Sequence, residues 1–313
     1  MNATSTGVRV HIGPHDDPWA APVSDAVAAT GADLVAAEEA TALVWLAHRS
    51  GPEFHGLLHD GIRWVQLRSA GIDRWIDRGD LDDRRIWTSA RGIYAETVAE
   101  HALAQVLACL KLLPQYARAT TWDPEAKQKG KLVRGRTVAV IGAGGIGQEL
   151  IRYLQPLGAR VVAVTRSGRE VEGADACYPA ARLEEVWPQA DVVVLAAPST
   201  AETRHLIGAA ELAAMPDDAT VVNIARGALV DTDALVAAFA SDTIGAAALD
   251  VTDPEPLPDG HPLWSEPRAL ITPHAANPGP EQLPRLCALL TENISRFAAG
   301  RELQGRVDLH AGY

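Results

Sequence analysis

The sequence predicts an α/β protein of two domains, each with a doubly wound parallel sheet, and three observations carry that expectation. Short apolar runs alternate with helical patterns through the first third of the chain, as in repeated βα units. A polar stretch at 121–135 interrupts the alternation, which restarts at Arg136. Beyond it, TVAVIG, RVVAVT, DVVVLAA, ATVVNIA, GAAALDV and RALITP are nearly continuous apolar runs, as parallel strands buried on both faces require. A length of 313 residues fits two domains of ordinary size.

Taken in order, VRVHI (8–12) reads as a strand and WAAPVSDAVAAT (19–30) as a helix stopped by Gly31. ALVWLA (42–47) is a strand, PEFHGLLHD (52–60) a short helix and RWVQL (63–67) another strand. The Ala- and Leu-rich segment 96–119 reads as a long helix that Pro114 kinks or ends. The segment 121–135 reads as a surface connection. After Pro280, EQLPRLCALLTENISRFAAG reads as a final helix that returns to pack elsewhere.

Bulk composition narrows the function. Apolar residues make up 47% and charged residues 22%, the balance of a soluble globular chain. A net charge of −12 with no dense Lys/Arg block argues against nucleic acid or an anionic membrane as partner. There is no apolar run long enough to span a bilayer, and MNATSTGVRVHIG lacks the basic start and apolar core of a signal peptide. The expected location is therefore the cytoplasm. Cys109, Cys177 and Cys287 are scattered, with no metal-ligand or disulfide spacing, so no metal is expected.

Gly142, Gly144 and Gly147 form G-x-G-x-x-G between the strand pattern RTVAVI and the helix pattern GQELIRYLQPLG. That strand–turn–helix setting is what a dinucleotide site requires. The first glycine permits the tight turn, and the second lets backbone approach a pyrophosphate. The third allows close packing of helix on strand, with Gly145 and Ile146 opening the helix whose N-terminus favours the anion. An acidic residue for the ribose hydroxyls is expected about 20 positions on. Eighteen residues beyond Gly147 stands Thr165, followed by Arg166 and Ser167. Thr165 removes the carboxylate that would repel a 2′-phosphate. Arg166, with Ser167 and Arg169, supplies groups to bind one. The preferred cofactor is thus NADP(H). The alternative leaves Arg166 solvated and NAD(H) accepted loosely.

Three later segments place charged residues at the ends of apolar strands: NIARGALVDTDAL, ALDVTDPEPL and ITPHAA. Arg226, Glu255 and His274 are their candidates, because ligands of open α/β sheets bind at the C-terminal ends of strands. Each has a structural alternative on its own. Together they suit a 2-hydroxy acid redox site. An arginine can clamp a 2-oxo acid's carboxylate and polarise its carbonyl, and a protonated histidine can protonate the carbonyl oxygen. A glutamate on the other imidazole nitrogen would stabilise the imidazolium and fix the ring.

On these residues the sequence resembles the D-isomer-specific 2-hydroxyacid dehydrogenase family. The resemblance extends over SAGID (69–73), TVAEHALA (97–104), GRTVAVIGAGGIGQEL (135–150) and APSTAETRHLIG (197–208). It continues through VNIARGALVDTDAL (222–235), ALDVTDPEPLPDGHPLW (248–264) and ITPHAA (271–276). Spacings of 29 residues from Arg226 to Glu255 and 19 from Glu255 to His274 agree with it. It implies two α/β domains of Rossmann and flavodoxin-like type with the active site in the cleft between them. Residues 1–100 with 281–313 would form the substrate domain, and 101–280 the dinucleotide-binding domain. Arg226 would bind substrate, Glu255 would support the histidine, and His274 would be the acid/base. Backbone amides around Ser69, Ala70 and Gly71 would hold the substrate carboxylate. Asp250 would contact the nicotinamide carboxamide, with Pro198 and Ala225 walling the dinucleotide site. The resemblance also implies a homodimer formed largely through the nucleotide domain.

Some positions depart from the family pattern. Glu255 stands where formate dehydrogenases have glutamine. Tyr94 stands where many relatives carry asparagine, and PHAAN lacks the frequent PHxGG. No regulatory module follows Tyr313, which speaks against a serine-regulated phosphoglycerate dehydrogenase. Arg68 and His48 read as surface or structural residues, with a substrate-pocket role as the alternative. The expected function is NADPH-dependent reduction of a small 2-oxo acid, such as glyoxylate, hydroxypyruvate or phenylpyruvate, to its D-2-hydroxy acid. The rivals are an NAD-dependent phosphoglycerate- or 4-phosphoerythronate-type dehydrogenase and a non-catalytic dinucleotide sensor.

Overall fold

Every strand in the computed structural model, which describes residues 6–309, pairs in parallel with its neighbours, and the strands form two separate sheets. The chain divides into two compact units, one holding residues up to Tyr94 and from Pro278 onward, the other Ala95–Asn277.

The first unit contains β1 (Arg9–Gly13), β2 (Asp33–Leu34), β3 (Ala42–Trp45), β4 (Trp64–Leu67) and β5 (Ile86–Thr88), in the order β2-β1-β3-β4-β5. That is the flavodoxin-like arrangement. β3 and β4 are buried along their whole length, which explains their uninterrupted apolar runs. The helix Ala20–Ala29 packs against the terminal helix Gly279–Ala298, so the two ends of the sequence build one body. An aromatic cluster fills one side of the sheet. Fully buried Phe54 has ring centroids of Trp45 and Trp75 at 5.1 and 5.2 Å, and of Trp87 at 6.2 Å.

The second unit contains β6 (Thr137–Ile141), β7 (Arg160–Thr165), β8 (Ala176–Pro179), β9 (Val192–Leu195), β10 (Thr220–Asn223), β11 (Ala246–Leu249) and β12 (Ala269–Ile271). Their order is β12-β11-β10-β9-β6-β7-β8. Read outward from β6 this is the Rossmann order with one added strand, and it reverses between β6 and β9. Ile141 pairs with Val164 on one side and Leu195 on the other, so the turn after β6 stands at the reversal point. The helix Ala95–Leu110 belongs to this unit and packs against Gly145–Leu154. The expected break at Pro114 is a true interruption. The first helix stops at Leu110, Leu112 takes φ 57°, and Pro114 opens a second helix, Leu113–Arg118. The connection 121–135 contains one helical turn, Ala126–Lys129.

Truncating the aromatic centre of the first unit tests this packing. Phe54→Ala should lower stability by about 3–5 kcal/mol, the usual cost of removing a buried phenyl ring. Chemical denaturation followed by tryptophan fluorescence would read it, and an unchanged midpoint would refute the assigned core.

Candidate active site

The glycine turn joins β6 to the helix Gly145–Leu154 as the sequence predicts. Gly142 has φ 98°, and a Cβ there would sit 2.6 Å from the Ala197 backbone nitrogen. A Cβ on Gly147 would lie 2.4 Å from the Gly142 carbonyl oxygen. Neither position tolerates a side chain. Gly144 caps the helix and has open space around its absent Cβ, leaving its backbone accessible to a ligand. The cradle therefore fits the pyrophosphate of a dinucleotide next to a helix N-terminus ten residues long.

Thr165 is the last residue of β7, and Arg166 and Ser167 follow it exposed at the strand's C-terminal end. The loop then bends at Gly168, with φ 74° and a would-be Cβ 2.8 Å from Pro179. The bend returns Arg169, whose Nη2 donates to the Ala143 carbonyl at 3.0 Å. The Arg-bearing loop and the glycine turn are thus directly tied.

Arg226, Asp250, Glu255 and His274 all follow C-terminal ends of neighbouring strands in the same sheet: β10, β11 and β12. His274 Nδ1 lies 2.7 Å from Glu255 Oε1. A carboxylate only accepts, so Nδ1 carries the hydrogen, and Nε2 is the nitrogen that can give or take a proton elsewhere. Both side chains are partly open to solvent. His274 has φ 53°, an uncommon conformation for a residue with a side chain. Its backbone nitrogen donates to the Asp250 carbonyl at 2.8 Å. The next two amides, of Ala275 and Ala276, donate to Asp250 Oδ1 and Oδ2 at 2.8 and 3.1 Å.

Asp250 is buried, and Thr272 Oγ1 donates to it at 2.6 Å while His101 Nε2 lies 3.3 Å away. Burial presses this carboxyl's pKa upward. Hydrogen bonds from His101, Thr272, Ala275 and Ala276 outweigh that effect and hold it below the usual carboxylate range. Both carboxylate oxygens therefore work inside the protein, shaping the turn that carries His274.

Arg226 sits on the turn after β10, and its Nη1 donates to the Ala225 carbonyl at 2.7 Å. Gly227 follows it, and a Cβ there would lie 1.9 Å from the Thr252 carbonyl oxygen. The Arg226 turn is thus pressed onto the segment that leads to Glu255. Ala225 is buried, and the Pro198 carbonyl, on the loop after β9, accepts from Thr203 Oγ1 at 2.7 Å. Among the described residues no group of His, Cys, Asp and Glu is arranged to hold a metal ion.

In the first unit, Ser69, Ala70 and Gly71 form the loop after β4. The Ser69 carbonyl accepts from the Ala90 amide at 2.9 Å, and its hydroxyl lies 3.3 Å from His48 Nδ1. Arg68 pairs with Asp17 at 3.3 Å and lies 3.4 Å from the centroid of Trp19. Burial lowers its pKa, against the pull of Asp17 and Tyr94. Burial likewise pushes the Tyr94 hydroxyl up to about 12, with Arg68 opposing it.

A profile described as "D-isomer specific 2-hydroxyacid dehydrogenase, NAD binding domain" matches residues 102–276. The chain belongs to this family. A Corynebacterium melassecola protein named "Uncharacterized protein in proB 3'region" is 44% identical over 268 residues, 84% of this chain and 88% of its own. A glyoxylate reductase of Aeropyrum pernix is 36% identical over 228 residues, 68% of this chain and 67% of its own. The crystal structure of a D-isomer-specific 2-hydroxyacid dehydrogenase from Xanthobacter autotrophicus Py2, in complex with NADPH and MES, superposes with a TM-score of 0.84. Its identity is 28%, over 98% of this chain and 99% of the other. This D-2-hydroxyacid dehydrogenase family member is an NAD(P)-dependent oxidoreductase whose second unit binds a nicotinamide dinucleotide. No described helix is long and apolar enough to cross a membrane.

Asn223, His101 and Thr272 border this site without standing out in the sequence. Their signal is faint: each is a polar residue inside an otherwise apolar run, Asn223 bonding within its own turn while His101 and Thr272 meet Asp250 from elsewhere in the chain.

Replacing Gly147 with alanine should displace the Gly142 carbonyl and weaken dinucleotide binding by about tenfold or more, since this glycine sets the helix against the strand. Fluorescence titration with NADPH and NADH measures it. Wild-type affinity would show that the turn is not the cofactor's cradle.

Proposed function

We propose that the protein reduces a small 2-oxo acid, of the size of glyoxylate or hydroxypyruvate, to its D-2-hydroxy acid with NADPH as the preferred donor. The observation that carries this reading is the 2.7 Å bond from His274 Nδ1 to Glu255 Oε1, at the same sheet edge as Arg226. It is the arrangement that lets an imidazole give up a proton from Nε2 and take it back in the reverse direction. The glyoxylate reductase among the relatives and the NADPH complex among the similar structures agree with it.

The dinucleotide is held by Gly142, Gly144, Gly145, Ile146 and Gly147, flanked by Pro198, Ala225 and Asp250. When bound and reduced, its nicotinamide supplies the hydride equivalent. Arg226 binds the substrate's carboxylate and polarises its carbonyl, with the amides of Ser69, Ala70 and Gly71 as further carboxylate donors. His274 Nε2 donates its proton to the carbonyl oxygen as carbon is reduced. Glu255 holds the ring and stabilises the imidazolium beforehand. The 2′-phosphate is bound by Arg166 with Thr165 and Ser167, Thr165 standing where an acidic residue would repel it. A homodimer and a cytoplasmic location complete the reading.

His274→Ala should lower kcat by about 10²-fold or more, the loss expected when general acid catalysis is removed. Steady-state assay of NADPH oxidation measures it, and near-normal turnover would take His274 out of the mechanism. Arg166→Ala should raise the KM for NADPH far more than that for NADH. Equal effects on both cofactors would defeat the 2′-phosphate assignment.

A further inference from the structure

We propose that Asn223 is a positioning residue for this reaction, holding the Arg226 turn and tying it to the strand that carries Asp250. Asn223 ends β10, has no solvent exposure, and lies in register between Leu195 of β9 and Leu249 of β11. A primary amide in such a place costs free energy unless its groups are hydrogen-bonded. Here both ends of the amide are used on the same short turn. Nδ2 donates to the Arg226 carbonyl at 2.8 Å, and Oδ1 accepts from the Ala225 amide at 3.1 Å. A valine or leucine would suit the strand and leave both backbone groups without these bonds. The residue type is therefore chosen for the turn.

The backbone of the same residue makes the second connection. The Asn223 carbonyl accepts from the Asp250 amide at 2.9 Å. Asp250 in turn holds the amides of Ala275 and Ala276 with its carboxylate and that of His274 with its carbonyl. One buried residue thus fixes the Arg226 backbone by its side chain and borders the brace of His274 by its main chain. Gly227, pressed on Thr252, closes the other flank of the Arg226 turn, so Arg226 is constrained on both sides. Asn223 touches no substrate; it acts through Arg226.

The inference rests on the proposed role of Arg226 as substrate-carboxylate clamp, and the test separates the two. Asn223→Ala and the smaller change Asn223→Ser are compared with wild type, Arg226→Lys and the double variant Asn223→Ala/Arg226→Lys. Four readouts are taken: kcat/KM with glyoxylate, affinity of the enzyme–NADPH complex for oxamate, affinity for NADPH alone, and Tm. Asn223→Ala should lower kcat/KM and oxamate affinity by about 10- to 100-fold, the effect of moving a positioned group by a fraction of an ångström to an ångström. NADPH affinity should fall by much less than oxamate affinity, because of the cofactor's neighbours only the Ala225 amide loses a bond. In the Arg226→Lys background the same change should cost little more, because contacting residues that act as one unit are not additive. If Asn223→Ala fails to fold, Asn223→Ser carries the comparison with a smaller loss of the same pattern. Full additivity with Arg226→Lys, or unchanged oxamate binding, overturns the inference. Wild-type kcat/KM in Arg226→Lys alone would instead overturn the assigned role of Arg226.

Discussion

The site depends on one buried carboxylate. Asp250 accepts from Thr272, Ala275 and Ala276 through its side chain and from His274 through its carbonyl. A left-handed backbone at a residue with a side chain costs on the order of 1–2 kcal/mol. Charge-assisted bonds to a buried carboxylate are strong enough to offset that cost. The strained turn persists because Asp250 holds it, and the turn is what brings the His274 ring within hydrogen-bond distance of Glu255. Without the brace, the residue pair would lose its fixed geometry while keeping its composition.

The parallel sheet makes such a brace possible. Neighbouring strands in register end at the same edge, so residues far apart in sequence finish side by side there. β10, β11 and β12 deliver Arg226, Asp250 and His274 to that edge, and β6 delivers the glycine turn at the point where strand order reverses. Val, Ile, Leu and Ala in the strands supply burial, while the chemistry is confined to the residues that follow them. This separation explains how an unremarkable apolar core can carry a precise polar site.

It also explains what could be read from the sequence. The core strands were legible because burial on both faces leaves a continuous apolar signature, as in VVVL at 192–195. The glycine turn was legible because Gly142 and Gly147 have no room for a Cβ. Two edge strands were not: β2 is two exposed residues, Asp33–Leu34, and β8 is only partly buried, so neither has the apolar pattern of a core strand. Arg226, Glu255 and His274 stood out because charge at the end of a strand has few structural excuses. Asn223 and His101 did not: a single amide in an apolar run does not announce the turn it bonds three residues on, and His101 meets Asp250 only in the folded chain. The Arg169 contact with Ala143 is of the same kind, set by a bend at Gly168 that no local pattern announces.

The proposed function makes this edge the place of D-specific reduction of a 2-oxo acid. The most direct measurement is NADPH oxidation by the wild-type protein with glyoxylate, hydroxypyruvate and a bulky aryl 2-oxo acid, each repeated with NADH, and chiral analysis of the hydroxypyruvate and aryl products. The expected outcome is turnover of at least the small substrates, faster with NADPH than NADH, and a D product wherever the product is chiral. An L product, or no turnover of any 2-oxo acid by protein that still binds the dinucleotide, would contradict it.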